Sequence, residues 1–287
     1  MNIVSFIIPK TKESTLIYQQ DQGPFFYEKL HQHEEIQICH ILRGEGTLVV
    51  GDSINHYKKG DVIVIGGFMP HVFKSDVGAS SISKMRSLFF TKNSFGTDFF
   101  DLEVSQELRS FFEKSSYGFK LIASTNTASK LFSKIHKATK LQRFMVFLEL
   151  LKILSTAEHQ RLSSLIYDRK YSPTEGKRMT DVLEYTFENY DKEVSLEAVA
   201  QVAAMTKNSF CKYFKKVTNK TYFEFLKEIR VEHACKLIRK HKDLRIFDVA
   251  YQCGFKNISN FNKQFKTVTT LSPSDFKKLI LADCLIF

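Results

Sequence analysis

Residues 246–278 read IFDVAYQCGFKNISNFNKQFKTVTTLSPSDFKK, and this stretch decides the fold of the C-terminal part of the chain. Apolar residues at helical spacing lead up to Gly254, and a second helical pattern, which carries Phe261 and Phe265, begins shortly after it. Gly254 supplies the positive φ that a tight turn needs, and Asn257 is a natural N-cap for the second helix. The pattern therefore predicts a helix-turn-helix.

The second helix of this unit has a polar outer side. When its phenylalanines face inward, the side chains that face outward are short polar groups and cations, namely Ser259, Asn262, Lys263 and Lys266. Such groups hydrogen-bond to base edges and to phosphates in the major groove of DNA. We therefore predict that these four residues contact DNA.

Taken together, many positions of this stretch resemble the C-terminal signature of the AraC/XylS family of transcription regulators. The matching residues are Ile246, Val249, Ala250, Cys253, Gly254, Phe255, Ser259, Phe261, Phe265, Lys266, Ser272 and Pro273. Thr270 departs from the family pattern, which has glycine there, so the loop after the second helix is expected to differ in shape. The resemblance implies a DNA-reading domain with two helix-turn-helix units.

A second helix-turn-helix is predicted upstream, and it turns without glycine. Ser195 opens a helix, residues 204–206 form the turn, and Phe210 and Phe214 mark the inner face of the following helix. The outward residues of that helix are Lys207, Asn208, Cys211, Lys212, Lys215 and Lys216. By position against the family's reading helices, three of these residues, Asn208, Cys211 and Lys212, are assigned to base edges. The flanking lysines are assigned to phosphates. For any single lysine, the alternative is a role in solubility alone.

A long helix, predicted over residues 221–240, joins the two units. At 1.5 Å per residue its length is roughly 30 Å, which is close to one turn of B-DNA, about 34 Å. A connector of this length allows both reading helices to enter consecutive major grooves on one face of the duplex.

The composition indicates a globular protein with two domains. The 287 residues are 43% hydrophobic, which is enough for a core in each domain. The five cysteines are widely separated and form no CxxC pair, which favours free thiols in a reducing compartment such as the cytoplasm over disulfides or zinc sites. The sequence has neither the pattern of a signal peptide nor an apolar run long enough for a membrane span.

The positive charge is concentrated in one part of the chain. The formal net charge is +11. Residues 207–278 hold 17 Lys and Arg against 6 Asp and Glu, which is a net charge of +11, so positive and negative charges cancel over the rest of the chain. A solvated surface is the alternative explanation of such a basic segment. Because the excess coincides with both predicted reading helices, it favours a polyanionic partner, double-stranded DNA.

The N-terminal part shows strand patterns separated by turn residues. The apolar or alternating runs are IVSFII (3–8), IQICHIL (36–42), GTLVV (46–50) and DVIVIG (61–66). They predict a small antiparallel barrel or sandwich, and the arrangement resembles the cupin-type sensor domain found in many AraC/XylS regulators. The predicted fold is therefore α+β, with a cupin-like sensor barrel over residues 1–100 and an all-α DNA-binding domain with two helix-turn-helix units over 178–287.

Three histidines and a glutamine mark the mouth of the predicted barrel. Metal-binding cupins carry HxHxxxE on one strand and a later histidine; His31, His33 and His71 match three of these places, and Gln37 stands at the glutamate place. A neutral amide is a weak ligand for a divalent ion. The prediction is therefore a metal-free pocket without a cofactor, open to a small-molecule effector, with a metal site as the alternative. Apolar strand residues such as Ile36, Ile38, Val62 and Val64 are predicted to supply its wall, on whichever face of the strands turns inward.

Between the two domains the hydrophobic period changes to that of helices. Residues 101–167 are predicted to form a helical extension, and the run FMVFLELLKIL (144–154) is so apolar that it must be covered on most sides. The family resemblance favours a homodimer contact there, and an ordinary core helix is the alternative. Residues 168–177 are polar with Pro173 and Gly176, which is typical of a linker.

These patterns favour a sequence-specific transcription regulator without enzyme activity. The resemblance implies activation through contact with RNA polymerase. A metal-dependent cupin enzyme with an attached helical domain is the alternative from another class. A reader of single-stranded RNA is disfavoured because the aromatic residues fall on inner helix faces instead of exposed platforms.

Overall fold

The computed structural model describes residues 15–76, 81–168 and 170–283. The chain divides into two compact units, Met1–Lys177 and Arg178–Phe287. The strand predicted over residues 3–8 lies outside the described residues. Among the described residues, no helix is both long enough and apolar enough to cross a membrane.

The N-terminal unit contains two antiparallel sheets. The strands found among the described residues are β1 (Ile17–Gly23), β2 (Ile36–Arg43), β3 (Gly46–Val50), β4 (Ser53–Tyr57), β5 (Val62–Ile65), β6 (His71–Ser75), β7 (Ser83–Phe90), β8 (Phe119–Leu121) and β9 (His159–Arg161). One sheet has the strand order β1-β7-β2-β5-β8-β9, and the other has the order β4-β3-β6. The strands predicted from the apolar runs at residues 36–42, 46–50 and 61–66 correspond to β2, β3 and β5.

The larger sheet is buried on both faces. Along β2, Cys39 and Ile41 pack with Leu48 of β3 in a core that joins the two sheets. Ile36 and Ile38, which alternate with them, pack on the opposite face in a second core with the helices. Burial on both faces explains why β2 and β5 read as nearly continuous apolar runs.

Three helices cover the outer face of the larger sheet, and they are α1 (Arg109–Ser115), α2 (Thr125–Lys137) and α3 (Lys140–Thr156). Two 3-10 turns, Phe99–Asp101 and Glu103–Leu108, precede α1. Helix α3 corresponds to the apolar run, and its residues Phe147, Leu150, Leu151 and Leu154 are buried in this core. Its N-terminal turns are different, because Leu141 and Met145 are 70% and 62% exposed.

The segment 101–167 is not purely helical, which corrects the prediction of a helical extension. Strand β8 pairs with β5, and β9 pairs with β8, so this segment completes the larger sheet. Each of these strands has only three residues. Runs this short carry too little alternation to be recognised, since their pairing partners are distant in sequence.

The C-terminal unit is helical throughout its described residues. Helix α4 (Pro173–Asn189) begins just before the boundary at Arg178, and it is followed by α5 (Leu196–Val202), α6 (Lys207–Thr218), α7 (Tyr222–Lys240), α8 (Ile246–Gln252), α9 (Ile258–Thr269) and α10 (Pro273–Asp283). The long connector corresponds to α7, which has 19 residues. At 1.5 Å per residue, its length is about 29 Å. A capping box fixes its start, because Thr221 and Glu224 each accept the other's backbone N–H.

Helix α4 begins inside the predicted linker 168–177, which corrects the end of that linker. The Glu175 N–H donates to Ser172 Oγ at 3.2 Å, and the Ser172 N–H donates to Glu175 Oε2 at 2.9 Å. Pro173 then occupies the first helical position, where its missing N–H costs nothing. The proline that suggested a linker is therefore part of a helix start.

The loop after α9 keeps the backbone geometry that glycine would favour. Thr270 ends the helix with φ 66° and ψ −12°, and its N–H donates to Lys266 O at 2.9 Å. This is the left-handed cap that usually carries glycine. The loop thus has a left-handed cap although it lacks glycine, and the β-branched side chain takes the conformational strain.

Candidate functional site

The two helix-turn-helix units repeat one backbone arrangement within the C-terminal unit. In the first, the Met205 N–H donates to Ala200 O at 2.9 Å; in the second, the Phe255 N–H donates to Ala250 O at 3.0 Å. The residue before each donor has positive φ, 51° in the first turn and 76° in the second. The second of these is Gly254, as predicted. Both turns therefore present their second helix in the same way.

The two reading helices start and end alike. The Ser209 N–H donates to the Thr206 side chain at the start of α6, and the Ser259 N–H donates to the Asn257 side chain at the start of α9. At the C-terminal ends, the threonine hydroxyl of the last helical residue donates to the carbonyl oxygen of the second phenylalanine in each helix. Helices α6 and α9 also have the same length, 12 residues each.

The inner faces of both helices are held by aromatic pairs. Phe210 and Phe214 in α6, and Phe261 and Phe265 in α9, are all completely buried. The ring centroids within each pair are 5.5 Å apart. These rings fix which side of each helix faces solvent, and they are unavailable for stacking on unpaired bases.

All ten residues predicted to contact DNA are exposed in the structure, and they are Lys207, Asn208, Cys211, Lys212, Lys215, Lys216, Ser259, Asn262, Lys263 and Lys266. Counting 100° per residue from the buried phenylalanines, Lys212 and Lys263 point most directly away from the core. The same count places the exposed Ser209, Asn260 and Thr267 on the outer faces, which the sequence analysis missed. The helical period alone would have identified them.

Lys207 differs from the other lysines of this surface. Its Nζ lies 2.5 Å from Glu197 Oε1 on the preceding helix, and this hydrogen bond raises the pKa of Lys207 while it lowers the pKa of Glu197. Its position on α6 is close to the buried side of the helix. The Lys207 charge is thus partly engaged within the protein by the Glu197 carboxylate.

Three of the four predicted pocket residues come together in the N-terminal unit, and we call His31, His33 and His71 the histidine cluster. One ring nitrogen from each lies within 4.8 Å of the others. The backbone holds them in place: the His31 N–H donates to His71 O at 3.1 Å, and the His71 N–H donates to His31 O at 2.9 Å. The Phe68 N–H donates to His33 O at 2.7 Å. Residues distant in sequence are thereby fixed around one point.

Each imidazole of the histidine cluster is oriented by a backbone carbonyl. His31 Nδ1 lies 2.8 Å from Lys29 O, His33 Nδ1 lies 2.8 Å from Glu35 O, and His71 Nδ1 lies 2.8 Å from Met69 O. Because a carbonyl oxygen only accepts hydrogen bonds, each Nδ1 carries the proton. In the neutral rings, Nε2 is therefore the nitrogen with the available lone pair.

The histidine cluster is buried, and burial disfavours a charged imidazole. Burial lowers the pKa of His31 to about 4, and it lowers the pKa of His71 well below its usual range, with the neighbouring histidines acting in the same direction. Both rings are consequently neutral at pH 7. They act as acceptors through Nε2 in this state.

Gln37 lies on the same side of β2 as the core between the sheets. It is buried, and its Nε2 donates to Ser87 Oγ at 3.1 Å. Among the described residues, neither the Gln37 side-chain oxygen Oε1 nor His71 Nε2 has a hydrogen-bond partner. Both unsatisfied atoms are acceptors.

The structure shows which face of the strands turns toward the core between the sheets, a point that the sequence left open. Ile36, Ile38, Val62 and Val64 pack against the helices on the outer face of the larger sheet. The residues that alternate with them, including Ile63 and Ile65, line the core between the sheets. In a strand buried on both faces the sequence does not show which set turns inward.

This chain thus has the architecture of a two-unit transcription regulator, with a β-rich ligand-binding unit and a unit that presents two helix-turn-helices. The profile of an AraC-like ligand binding domain matches residues 12–83, and that of a helix-turn-helix domain matches residues 199–279. Together these ranges cover more than half of the chain. The chain belongs to the AraC/XylS family of transcription regulators.

Similar proteins carry the same description. The uncharacterized HTH-type transcriptional regulator YdeC of Bacillus subtilis is 24% identical over 95% of this chain and 92% of its own length. The HTH-type transcriptional activator RhaS of Enterobacter sp. is 27% identical over 44% of this chain and 46% of its own length, so the chain spans less than half of that relative. ToxT from Vibrio cholerae O395 is a solved structure with 12% identity and a TM-score of 0.39 over 93% of this chain and 98% of that chain. The alternative of a metal-dependent enzyme receives no support from these relatives.

Proposed function

We propose that this chain is a transcription activator that reads two consecutive major grooves of double-stranded DNA with α6 and α9, and whose N-terminal unit binds a ligand at the histidine cluster and Gln37. The observation that carries the DNA-reading part is the repeated pair of helices, each with a completely buried phenylalanine pair on one side and an exposed polar and cationic side opposite. In this arrangement the side chains can reach base edges without unfolding the helix.

Base reading is assigned by position along each helix, compared with the reading helices of the family. Asn208, Cys211 and Lys212 on α6 and Ser259, Asn262 and Lys263 on α9 would contact base edges. The remaining candidates, Lys207, Lys215, Lys216 and Lys266, would contact phosphates. Phosphate contacts supply salt-dependent affinity, whereas base contacts supply sequence preference. The whole surface therefore combines both functions.

Activation requires a contact with RNA polymerase, and we assign it by analogy with RhaS, whose name describes it as an activator. Enzyme activity is not part of the proposal. The proposed compartment is the cytoplasm, where DNA is accessible and where the buried thiols of Cys39, Cys235 and Cys253 stay reduced. Transcription in vitro with purified polymerase tests this assignment. A lower transcript yield on addition of the full chain would make it a repressor.

A homodimer through α3 is the proposed assembly. The exposed Leu141 and Met145 extend the buried apolar side of this helix into solvent, and a second copy would cover them. Sedimentation of the full chain tests the proposal. A monomer at micromolar concentration, unchanged in Leu141→Glu, would contradict it.

Substitution of single lysines separates base contacts from phosphate contacts. We expect Lys212→Ala and Lys263→Ala each to lose roughly 1 to 3 kcal/mol of discrimination at one base position. Lys216→Ala is expected to weaken all sequences alike and to reduce the slope of log affinity against log salt by about 1. The measurement is fluorescence anisotropy of the full chain on a selected DNA site and on its single-base variants.

The matched control for this experiment is Lys92→Ala. Lys92 is also an exposed lysine, but it lies in the N-terminal unit and pairs with Asp101 at 2.7 Å. Its replacement should leave DNA binding unchanged. Equal losses on specific and random DNA for Lys212→Ala would move that residue to the phosphate backbone.

A further inference from the structure

We infer that the outer face of the larger sheet carries a binding site for the oxyanion group of a small molecule, a phosphate or a carboxylate, where β1, β7 and β2 meet α2 and the start of α3. We call its residues the outer basic cluster, and they are Tyr18, His40, Arg86, Ser133, His136 and Arg143. The site shares no residue with the histidine cluster, so it goes beyond the ligand site of the proposed function.

The helices above the outer basic cluster come from a segment without acidic residues. Residues 114–148 carry seven Lys and Arg and neither Asp nor Glu. This segment contains all of α2 and the first half of α3. Because positive and negative charges cancel over the chain outside residues 207–278, the segment is a local excess of positive charge in an otherwise balanced region.

Strand pairing assembles the part of the cluster that belongs to the sheet. Arg86 of β7 is paired with Gln20 of β1 on one side and with His40 of β2 on the other. His40 follows Ile38 at the alternating position of β2, and Ile38 packs in the core with the helices. Arg86 and His40 therefore lie on the outer face, where Arg86 Nε donates to Gln20 Oε1 at 3.4 Å.

Helices α2 and α3 supply the rest of the cluster. Arg86 Nη1 donates to Ser133 Oγ at 3.3 Å. Three residues further along α2, His136 Nδ1 lies 3.0 Å from the hydroxyl oxygen of Tyr18. The guanidinium carbon of Arg143, in the first turn of α3, lies 5.5 Å from the centre of the Tyr18 ring. Groups from the sheet and from both helices thus meet around one tyrosine.

The electrostatic potential in the cluster is positive. Burial raises the pKa of Tyr18, and the charges of Arg86 and Arg143 oppose this shift because both favour the phenolate. Burial and the charge of Arg86 together lower the pKa of His40 to about 4. Among the described residues, neither guanidinium pairs with a carboxylate, since their hydrogen bonds go to an amide, a hydroxyl and a backbone carbonyl. An anion is therefore attracted to this place.

Two buried nitrogen atoms of the cluster lack a partner. His40 is only 4% exposed, and its Nδ1 forms no hydrogen bond with any residue that the structure describes; the same is true of the buried Nε of Arg143. The arginine Nε–H is always a donor, and the imidazole donates through Nδ1 when that nitrogen carries the proton. A buried donor without an acceptor lowers stability. An oxyanion offers several acceptor positions at once, and arginine forks match its geometry.

The test is a titration of the full chain with inorganic phosphate at constant ionic strength, followed by NMR of the histidine ring protons. We expect a saturable shift of the His136 signal, and Arg86→Gln and Arg143→Gln should each weaken the affinity by at least about 10-fold. Arg109→Gln is the matched control, because Arg109 is an exposed arginine of the same unit that pairs with Glu113 at 3.4 Å. A shift that does not saturate, or an equal loss in Arg109→Gln, would overturn the site.

A charge inserted at Gln20 tests the site without removing any of its groups. Gln20 is exposed, so Gln20→Glu is compatible with the fold, and its carboxylate would engage Arg86 and repel an anion. We expect at least about 10-fold weaker phosphate binding. Gln160→Glu adds the same charge at an exposed position of β9, at the opposite edge of the same sheet, and should leave the affinity within about 2-fold. Equal affinities of these two variants would contradict the site.

The same titration with acetate distinguishes the two ligand types. Tighter binding of phosphate would assign the site to phosphorylated molecules, and tighter binding of acetate would assign it to carboxylates. If neither anion shifts the His136 signal, the inference is wrong. A shift produced by a short DNA duplex and by neither small anion would also overturn it, and it would make the cluster a DNA contact.

Discussion

Replacing Phe261 with alanine is expected to destabilise the C-terminal unit by about 3–5 kcal/mol. Phe261 is completely buried on the inner side of α9, with its ring centroid 5.1 Å from that of Phe255 and 5.5 Å from that of Phe265. The substitution leaves a cavity among rings that cannot collapse onto one another, because each is fixed by a different helix or turn. Unfolding of such a unit has a total free energy of about 5–15 kcal/mol, so the substitution would remove a large fraction of the stability.

The measurement is urea unfolding followed by far-UV circular dichroism, with binding to specific DNA measured in parallel. Phe247→Ala is the control, because Phe247 is a phenylalanine of the neighbouring helix α8 that is 61% exposed. It should change the free energy of unfolding by no more than about 0.5 kcal/mol. A loss for Phe261→Ala as small as that of the control would contradict the position given to α9.

Gly254→Val is expected to destabilise the second helix-turn-helix by about 2–5 kcal/mol and to abolish specific DNA binding. A left-handed conformation costs an L-residue about 1–2 kcal/mol, and Gly254 has φ 76°. A Cβ at this position would also lie 2.8 Å from Tyr190 O and 2.9 Å from Asp191 O. Since these are backbone atoms, the overlap adds about 1–3 kcal/mol.

Gly60→Ala separates the two causes of this effect. Gly60 also has positive φ, 92°, but a Cβ there meets no atom within 4 Å. Its substitution should cost only the conformational part, about 1–2 kcal/mol. Differential scanning calorimetry compares the two variants, and equal losses would show that the close approach of Gly254 to residues 190–191 is unimportant.

The helix-turn-helix units could be predicted from the sequence because their signals are local. A glycine at the turn, an N-cap residue and phenylalanines at helical spacing all lie within 33 residues of chain, and each reports on the conformation of its own neighbourhood. Ala204 shows the limit of such signals. It takes φ 51° in the first turn without being glycine, so only the surrounding pattern identified that turn.

The N-terminal unit could be predicted less well because its organisation depends on distant pairings. Strands β8 and β9 join the larger sheet from a segment that reads as helical, and the face of Ile36 and Ile38 is decided by helices that follow much later in the chain. The convergence of His31, His33 and His71 could be predicted because their spacing resembles the histidine pattern of cupins. The bonds that fix their tautomers were not, because they involve backbone carbonyls of loops.

The central claim is that α6 and α9 of one chain read two consecutive major grooves, and footprinting of the full chain on a selected DNA site tests it most directly. We predict two protected major-groove segments centred about 10 to 10.5 base pairs apart, as one helical turn requires. Lys212→Ala should weaken protection of one segment first, and Lys263→Ala that of the other. A single protected segment, or two that both respond equally to Lys212→Ala, would contradict the account.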